Sequence, residues 1–343
     1  MLALVTGSTG FLGRHLVDRL RAGGDHVRAL VRSPQKASTL AGSGAEVVYG
    51  DLTRPESLAA AVAGVDTVFH AAAMVTNWGP WEQFLATTVT GTENLLAAAL
   101  AAGVTRFVHV STVRVYDDRH CRRHRVVTED APRGERGFRH FGHYAHAKVL
   151  AEAAVWRYAP RLPVSVVRPA WIYGPGDESI LPPMIQYLRA PGSRWPGRAD
   201  PCADPIYVTD VADCAIAAAR HPAAVGQAYN AAPDREIRLR EFLGAICAEL
   251  EVAPPRRSVP YAVAAVAARV SEWVAKARGR RTAPKVSRAG LAILTQDVRH
   301  DPAKADRELG WRSRVSLADG ARATADWLRA RDSGRGEATT TRL

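Results

Sequence analysis

A doubly wound parallel α/β sheet with a smaller, discontinuous C-terminal substrate lobe is the fold class this sequence predicts, and three observations carry it. Short β-branched runs alternate with alanine-rich helical runs through the first two-thirds of the chain. A turn with glycines at three-residue spacing, TGSTGFLG, joins the first such run to the first helix. Beyond Pro175 the alternation weakens and proline and glycine thicken, as in PGDESILPPM and APGSRWPGRADP.

LALVT (2 to 6), HVRALV (26 to 31), AEVVYG (45 to 50), DTVFHA (66 to 71), RFVHVST (106 to 112) and PVSVVRP (163 to 169) read as strands. Between them FLGRHLVDRLRAG, ESLAAAVAG, WEQFLATTVTGTENLLAAALAAG and YAHAKVLAEAAVWRYA read as helices. The expected sheet domain covers residues 1 to 180, and 205 to 230 return to it, with PIYVTDVADCAIAAARH (205 to 221) adding a strand and a helix. The second lobe is then 181 to 204 with 231 to 330, and residues 331 to 343 form a tail without regular structure.

Composition narrows the function classes. The 343 residues carry a formal charge of +12, and only five of the 46 basic side chains are lysines. The densest basic clusters, RHCRRHR (119 to 125) and KARGRR (276 to 281), lack the interleaved aromatics of a base-stacking platform, so no nucleic-acid partner is expected. Four scattered cysteines show no C-x-x-C spacing, so neither a metal site nor a disulfide framework is expected. The run VPYAVAAVAARVSEWVAKA is interrupted by Arg269, Glu272 and Lys276 and reads as an amphipathic surface helix. With no basic leader ahead of the first strand, the expectation is a cytoplasmic protein without stable membrane insertion.

Gly7, Gly10 and Gly13 let the backbone approach a pyrophosphate while the helix that follows offers its amide donors. The end of the second strand reads ALVRS, so Val31 stands where an acid would accept from the ribose of NAD. Arg32 follows it, with Arg14 as a second candidate cation, which favours NADP over NAD. Asp51 and Leu52 are candidates for the adenine edge, Asp51 being equally readable as a helix cap. Ala71, Ala72 and Ala73, after His70, are small where backbone must pass close to a cofactor. Tyr144 and Lys148 lie four apart on one helix face, and an ammonium beside a phenol moves its proton affinity towards working pH. Ser111 and Thr112 end a strand at the carboxyl edge of the sheet, as hydroxyls able to hold a substrate carbonyl.

TGSTGFLG, STVRVY, YAHAK, RPAWIYGP and DPAKADRELGW together resemble the five motifs of the extended short-chain dehydrogenase/reductases, across nearly all of residues 1 to 330. The resemblance implies a Rossmann-type fold that also uses Thr9, Phe11, Leu12, Pro169 and Ile172 to hold the dinucleotide. It implies that Tyr144 exchanges the proton, that Lys148 holds the nicotinamide ribose while lowering the tyrosine's pKa, and that Thr112 is the active hydroxyl with Ser111 structural. It also implies a homodimer through the helices near 81 to 102 and 143 to 159.

Val113 and Arg114 stand where sugar dehydratases of that family carry an Asp-Glu pair, and Trp171 and Ala203 where epimerases carry polar diphosphate ligands. Met74 and Trp78, with Val75, Trp81 and Phe84, place large apolar groups at the substrate border, though Trp81 and Phe84 read equally as helix core. The pattern is similar to the branch of 3β-hydroxysteroid dehydrogenases and 2-alkyl-3-oxoalkanoate reductases, which implies a hydrophobic ketone or alcohol. A nucleotide-sugar epimerase and a non-enzymatic NADP-sensing protein are the alternatives. The segment carrying His120, His124, His140 and His143 is expected over the site mouth, with Arg122, Arg123 and Arg125 greeting an anionic handle.

Overall fold

The computed structural model describes residues 1–135, 142–197, 199–280, 282–284 and 286–340, the side chains of 334–340 excepted. Strands β1 (Leu2–Thr6), β2 (His26–Val31), β3 (Glu46–Tyr49), β4 (Thr67–His70), β5 (Arg106–Val110), β6 (Val164–Pro169) and β7 (Gln227–Ala231) form one parallel sheet in the order β7-β6-β5-β4-β1-β2-β3. Helices cover both of its faces, which is why the central strands read as unbroken apolar runs. On one face α1 (Phe11–Ala22) brings Leu16, Val17 and Leu20 into the core. On the other, α2 (Gly91–Ala101) and α3 (Gly142–Tyr158) bring Leu95, Ala99, Ala154 and Val155. α4 (Val208–Arg220) joins α1 on the first face through Val211, Ala215 and Ala218. Chain order reverses at β1, where Thr6 is in register with Leu30 and His70, and the crevice at such a reversal is where ligands enter.

Four expectations are corrected. Pro205–Tyr207 pairs with Trp171–Tyr173 in a two-stranded sheet of its own, because the edge beyond β6 is already taken by β7. The helix expected from Trp81 onward widens into a π-helical stretch, Leu85–Thr90, before α2. There Thr92 donates its hydroxyl to the Thr88 carbonyl at 2.6 Å, and the Thr88 hydroxyl accepts from the Met74 amide at 3.0 Å, so side chains compete for the ladder. The run ESLAAAVAG gives only the short helical pieces Pro55–Ser57 and Ala59–Val62, since proline opens it and glycine closes it. Residues 331 to 340 carry helical backbone, and 341 to 343 lie outside the described residues.

The second lobe contains α5 (Tyr261–Ala277), α6 (Arg288–Thr295) and α7 (Leu317–Thr340), the last of these being the helix that runs through 331 to 340. Extension by one residue adds a hydrogen bond to a helix already nucleated by packing, which explains that continuation. The lobe's core gathers Trp171, Tyr173, Phe242 and Leu328. The late motif fastens the lobe back onto the sheet domain. Trp311 donates its indole N–H to the Asp210 carbonyl at 3.0 Å, and Lys304 donates to Gln227 Oε1 at 2.7 Å on the edge strand.

Candidate active site

The glycine turn is closed against its neighbours. Gly7 has φ +69°, and a Cβ there would stand 2.8 Å from the amide nitrogen of Ala72; at Gly13 it would stand 2.0 Å from the Gly7 carbonyl oxygen. Gly10 donates its amide to that same carbonyl at 2.8 Å. α1 begins with no side-chain cap and no acid in its first turn, so its leading amides are left for an anionic group. Phe11, Ala71 and Ile172 pack on one core cluster with the buried Leu12, while Thr9 is half-exposed beside the turn and Pro169 ends β6 opposite Ala231. Ala71 donates to the Thr6 carbonyl at 3.3 Å and Ala72 to the Thr6 hydroxyl at 3.4 Å, which holds the Ala71 to Ala73 segment close to Gly7. This cradle fits a dinucleotide pyrophosphate.

At the ribose end, Arg32 is exposed beyond the buried Val31. The Asp51 carboxylate accepts from the Thr53 amide at 2.9 Å and hydroxyl at 2.8 Å in a local turn, not as a helix cap: the next helical piece, Pro55–Ser57, follows Arg54 with no side-chain cap. Burial pushes that carboxyl up, but the Thr53 hydrogen bonds and the nearby Arg32 and Arg54 hold it below its ordinary value. Leu52 is buried, and its carbonyl accepts from Asn94 Nδ2 at 2.7 Å; nothing in the sequence singles out Asn94 for this work. Arg14 does not join Arg32. Its guanidinium lies 3.1 Å from where a Gly176 Cβ would be, next to the contact of His15 Nε2 with the Pro175 carbonyl at 2.9 Å.

Thr112, Tyr144 and Lys148 converge beyond β5. The Thr112 hydroxyl neighbours the Tyr144 phenol and works to lower its proton affinity, while Thr112 Oγ1 accepts from the Arg114 amide at 3.3 Å. Burial pushes the Tyr144 phenol up, opposed by the Thr112 hydrogen bond and by the Arg114 guanidinium. Lys148, 3% exposed, donates Nζ to the Val110 carbonyl at 2.6 Å. Burial brings it down to about 8, against the pull of Glu152. Arg114 is a further cation beside the phenol, one that the sequence does not single out. Arg114, brought to about 10 by burial, donates to Gln296 Oε1 at 2.5 Å.

Behind this trio lies a buried polar network that the motifs only hint at. Ser111 donates to Glu152 Oε2 at 2.5 Å, which turns it away from Thr112 into a supporting role. Arg168 holds Glu152 through Nε at 3.2 Å and Nη2 at 2.6 Å, and reaches the Tyr116 hydroxyl at 3.0 Å. Tyr116 in turn donates to Asn230 Oδ1 at 2.6 Å. Burial would raise the Glu152 carboxyl, but Arg168 outweighs it and holds the group low.

On the substrate side, Trp171 and Ala203 line a small cavity together with Arg114, Asp204 and Gln296. Trp171 packs edge-on against Phe242 at 5.1 Å, and its indole N–H has no partner among the described residues. Met74 shares an apolar cluster with Phe84 and Tyr144. Phe84 is fully buried and Trp81 stacks on His146 at 4.7 Å, so these two are helix packing. Trp78 leaves the cleft floor and donates its indole to the Arg280 carbonyl at 2.9 Å. In the basic segment Arg122 pairs with Asp118, and Arg125 with Glu236 and Asp297, while Arg123 is exposed. His120 and His124 meet in a tilted contact at 4.4 Å and His143 meets the Gly79 carbonyl at 3.2 Å, while His140 lies outside the described residues.

Residues 3–232 match the NAD dependent epimerase/dehydratase family. A 4-hydroxy-2-methyl-3-oxo-4-farnesyl-3,4-dihydroquinoline-1-oxide ketoreductase of Stigmatella aurantiaca is 33% identical over 322 residues, 93% of this chain and 94% of that protein. A 2-alkyl-3-oxoalkanoate reductase of Shewanella oneidensis is 28% identical, covering 93% of this chain and 84% of its own length. Among solved structures, that of gox2253 superposes with a TM-score of 0.77 at 30% identity, over 96% of this chain and 98% of the other.

Proposed function

From a chain that belongs to the NAD dependent epimerase/dehydratase family, as an NAD(P)-dependent enzyme of the extended short-chain dehydrogenase/reductases, we propose an NADPH-dependent reductase of a hydrophobic ketone. The observation that carries the reading is the placement of Thr112 beside the buried Tyr144 phenol at the end of β5, next to a cavity where Trp171 and Ala203 stand with Arg114, Asp204 and Gln296. The dinucleotide, when bound, supplies the hydride. Tyr144, its phenol held protonated by burial, gives its proton to the carbonyl oxygen that Thr112 orients. In reverse the same groups oxidise a secondary alcohol. Lys148 reaches the ribose side and Arg114 the phenol.

Exposed Arg32 favours a 2′-phosphate, and Asp51 is already occupied by Thr53 rather than offered to ribose hydroxyls. The nucleotide-sugar alternative would set a diphosphate beside Trp171 and Ala203, neither of which offers it a polar partner, with Arg114 the one arginine among the described lining residues. Homodimerisation through α2 and α3 belongs to the same reading.

Oily 3-oxo compounds and sugar nucleotides, offered with NADPH or NADH, test it. Ketone-dependent oxidation of NADPH is expected, falling about a hundredfold to ten-thousandfold in Tyr144→Phe. Arg32→Ala should cost about tenfold to a hundredfold in kcat/KM for NADPH and leave NADH unchanged. Epimer formation without net cofactor turnover would overturn the reading.

A further inference from the structure

α5 presents its apolar side to solvent. Ala268 and Ala275 are buried, and Glu272 on the inward side pairs with Arg288 at 2.8 Å. Opposite them, Val263, Val266 and Val270 are each more than half exposed and Trp273 is 71% exposed. These four recur at the spacing of one helical stripe. An uncovered apolar stripe of this kind marks an interaction surface.

Its surroundings identify the partner. From residue 252 to 280 the chain carries Arg256, Arg257, Arg269, Lys276, Arg278 and Arg280, and Glu272, already paired with Arg288, is the one acid among them. The last turn also meets the substrate border, since Trp78 donates to the Arg280 carbonyl at 2.9 Å and Lys276 lies 5.9 Å from its ring. Val75, in the same loop, is 62% exposed. On its inner side α5 packs on α6, whose Ile293 lines the cavity beside Trp171.

We propose that α5 docks on an anionic lipid bilayer surface, laying Val263, Val266, Val270 and Trp273 into the headgroup boundary with the loop around Trp78 beside it. Amphipathic helices with a tryptophan on the apolar side and arginine and lysine at the rim bind such surfaces without crossing them. No helix among the described residues is long and apolar enough to span a membrane. A second copy of the chain fits less well, because two-fold pairing would set one basic rim against another. The purpose of docking, collecting an oily ketone from the bilayer at the site mouth, rests on the reductase reading; the docking does not.

Flotation of the full chain with vesicles of phosphatidylcholine, alone or mixed with phosphatidylglycerol, tests the proposal. Binding to the mixed vesicles is expected, weakened about fivefold by Arg269→Gln or Lys276→Gln. It should be lost in Val266→Ser/Trp273→Ser, with turnover of a water-soluble ketone unchanged. No flotation on the mixed vesicles overturns it. So does a concentration-dependent dimer, seen by ultracentrifugation and abolished by the same double variant, which assigns the stripe to a second copy. Flotation is read without turnover, so a failure to reduce any ketone would remove the reductase reading and leave docking standing.

Discussion

The Lys148 ammonium is held by one main-chain carbonyl in a buried place, and its pKa is pushed down to about 8. A lysine there loses its charge within a moderately alkaline range. We expect kcat/KM for the cofactor to fall as pH rises through about 8, and Lys148→Arg to move that inflection to higher pH, since a guanidinium stays charged. A pH profile of wild type and variant checks both; an unmoved inflection assigns the titration elsewhere. The proximity of Tyr144 and Lys148 is legible in YAHAK because helix periodicity fixes it. The approach of Arg114 to Tyr144 is not, since it depends on how far a long side chain travels beyond a strand end towards Gln296.

His70 and His109, on the adjacent strands β4 and β5, bring their rings to 5.3 Å in a tilted contact inside the sheet domain. His70 touches the Thr6 and Thr92 hydroxyls at 2.7 and 2.8 Å. Burial brings it down to about 3, with Lys148 pushing the same way, and burial likewise puts His109 well below its ordinary value. The unfolded chain takes up these protons below about pH 6.5 while the native sheet refuses them. Stability is therefore lost as pH falls from about 6.5 towards about 3, by roughly 1.4 kcal/mol per pH unit for each histidine. Urea unfolding at about pH 7 and about pH 5 measures the slope, which His70→Gln should roughly halve. Strands β1, β4, β5 and β6 are legible because burial on both faces demands apolar, largely β-branched runs, whereas the exposed edge strand β3 is legible from its Val47–Val48 pair. β7 is not: QAYNA mixes polar and small residues, and its place at the edge is secured by Lys304 and by Glu129, which accepts from the Asn230 amide at 2.7 Å.

Across the whole molecule, the late motif ties the two parts of the chain together at Trp311, which is 5% exposed and bonded to α4. Trp311→Ala should cost about 3–5 kcal/mol of unfolding free energy, through lost packing and an unpaired carbonyl at Asp210. Denaturant titration reads this; a loss below about 1 kcal/mol would mean that the motif rests on the fold without holding it. The thinning of strand patterns after Pro175 is visible in the sequence, and of the seven strands of the main sheet only Gln227–Ala231 comes from beyond it. The strand pairing of Pro205–Tyr207 is not legible there, because partner choice depends on which sheet edge is still open.

The backbone contacts at Gly7 and Gly13 leave no slack beneath the pyrophosphate: one added methyl collides with main chain on either side. If the turn cradles the dinucleotide as proposed, retuning which one it accepts would have to happen away from this floor, which admits no edits.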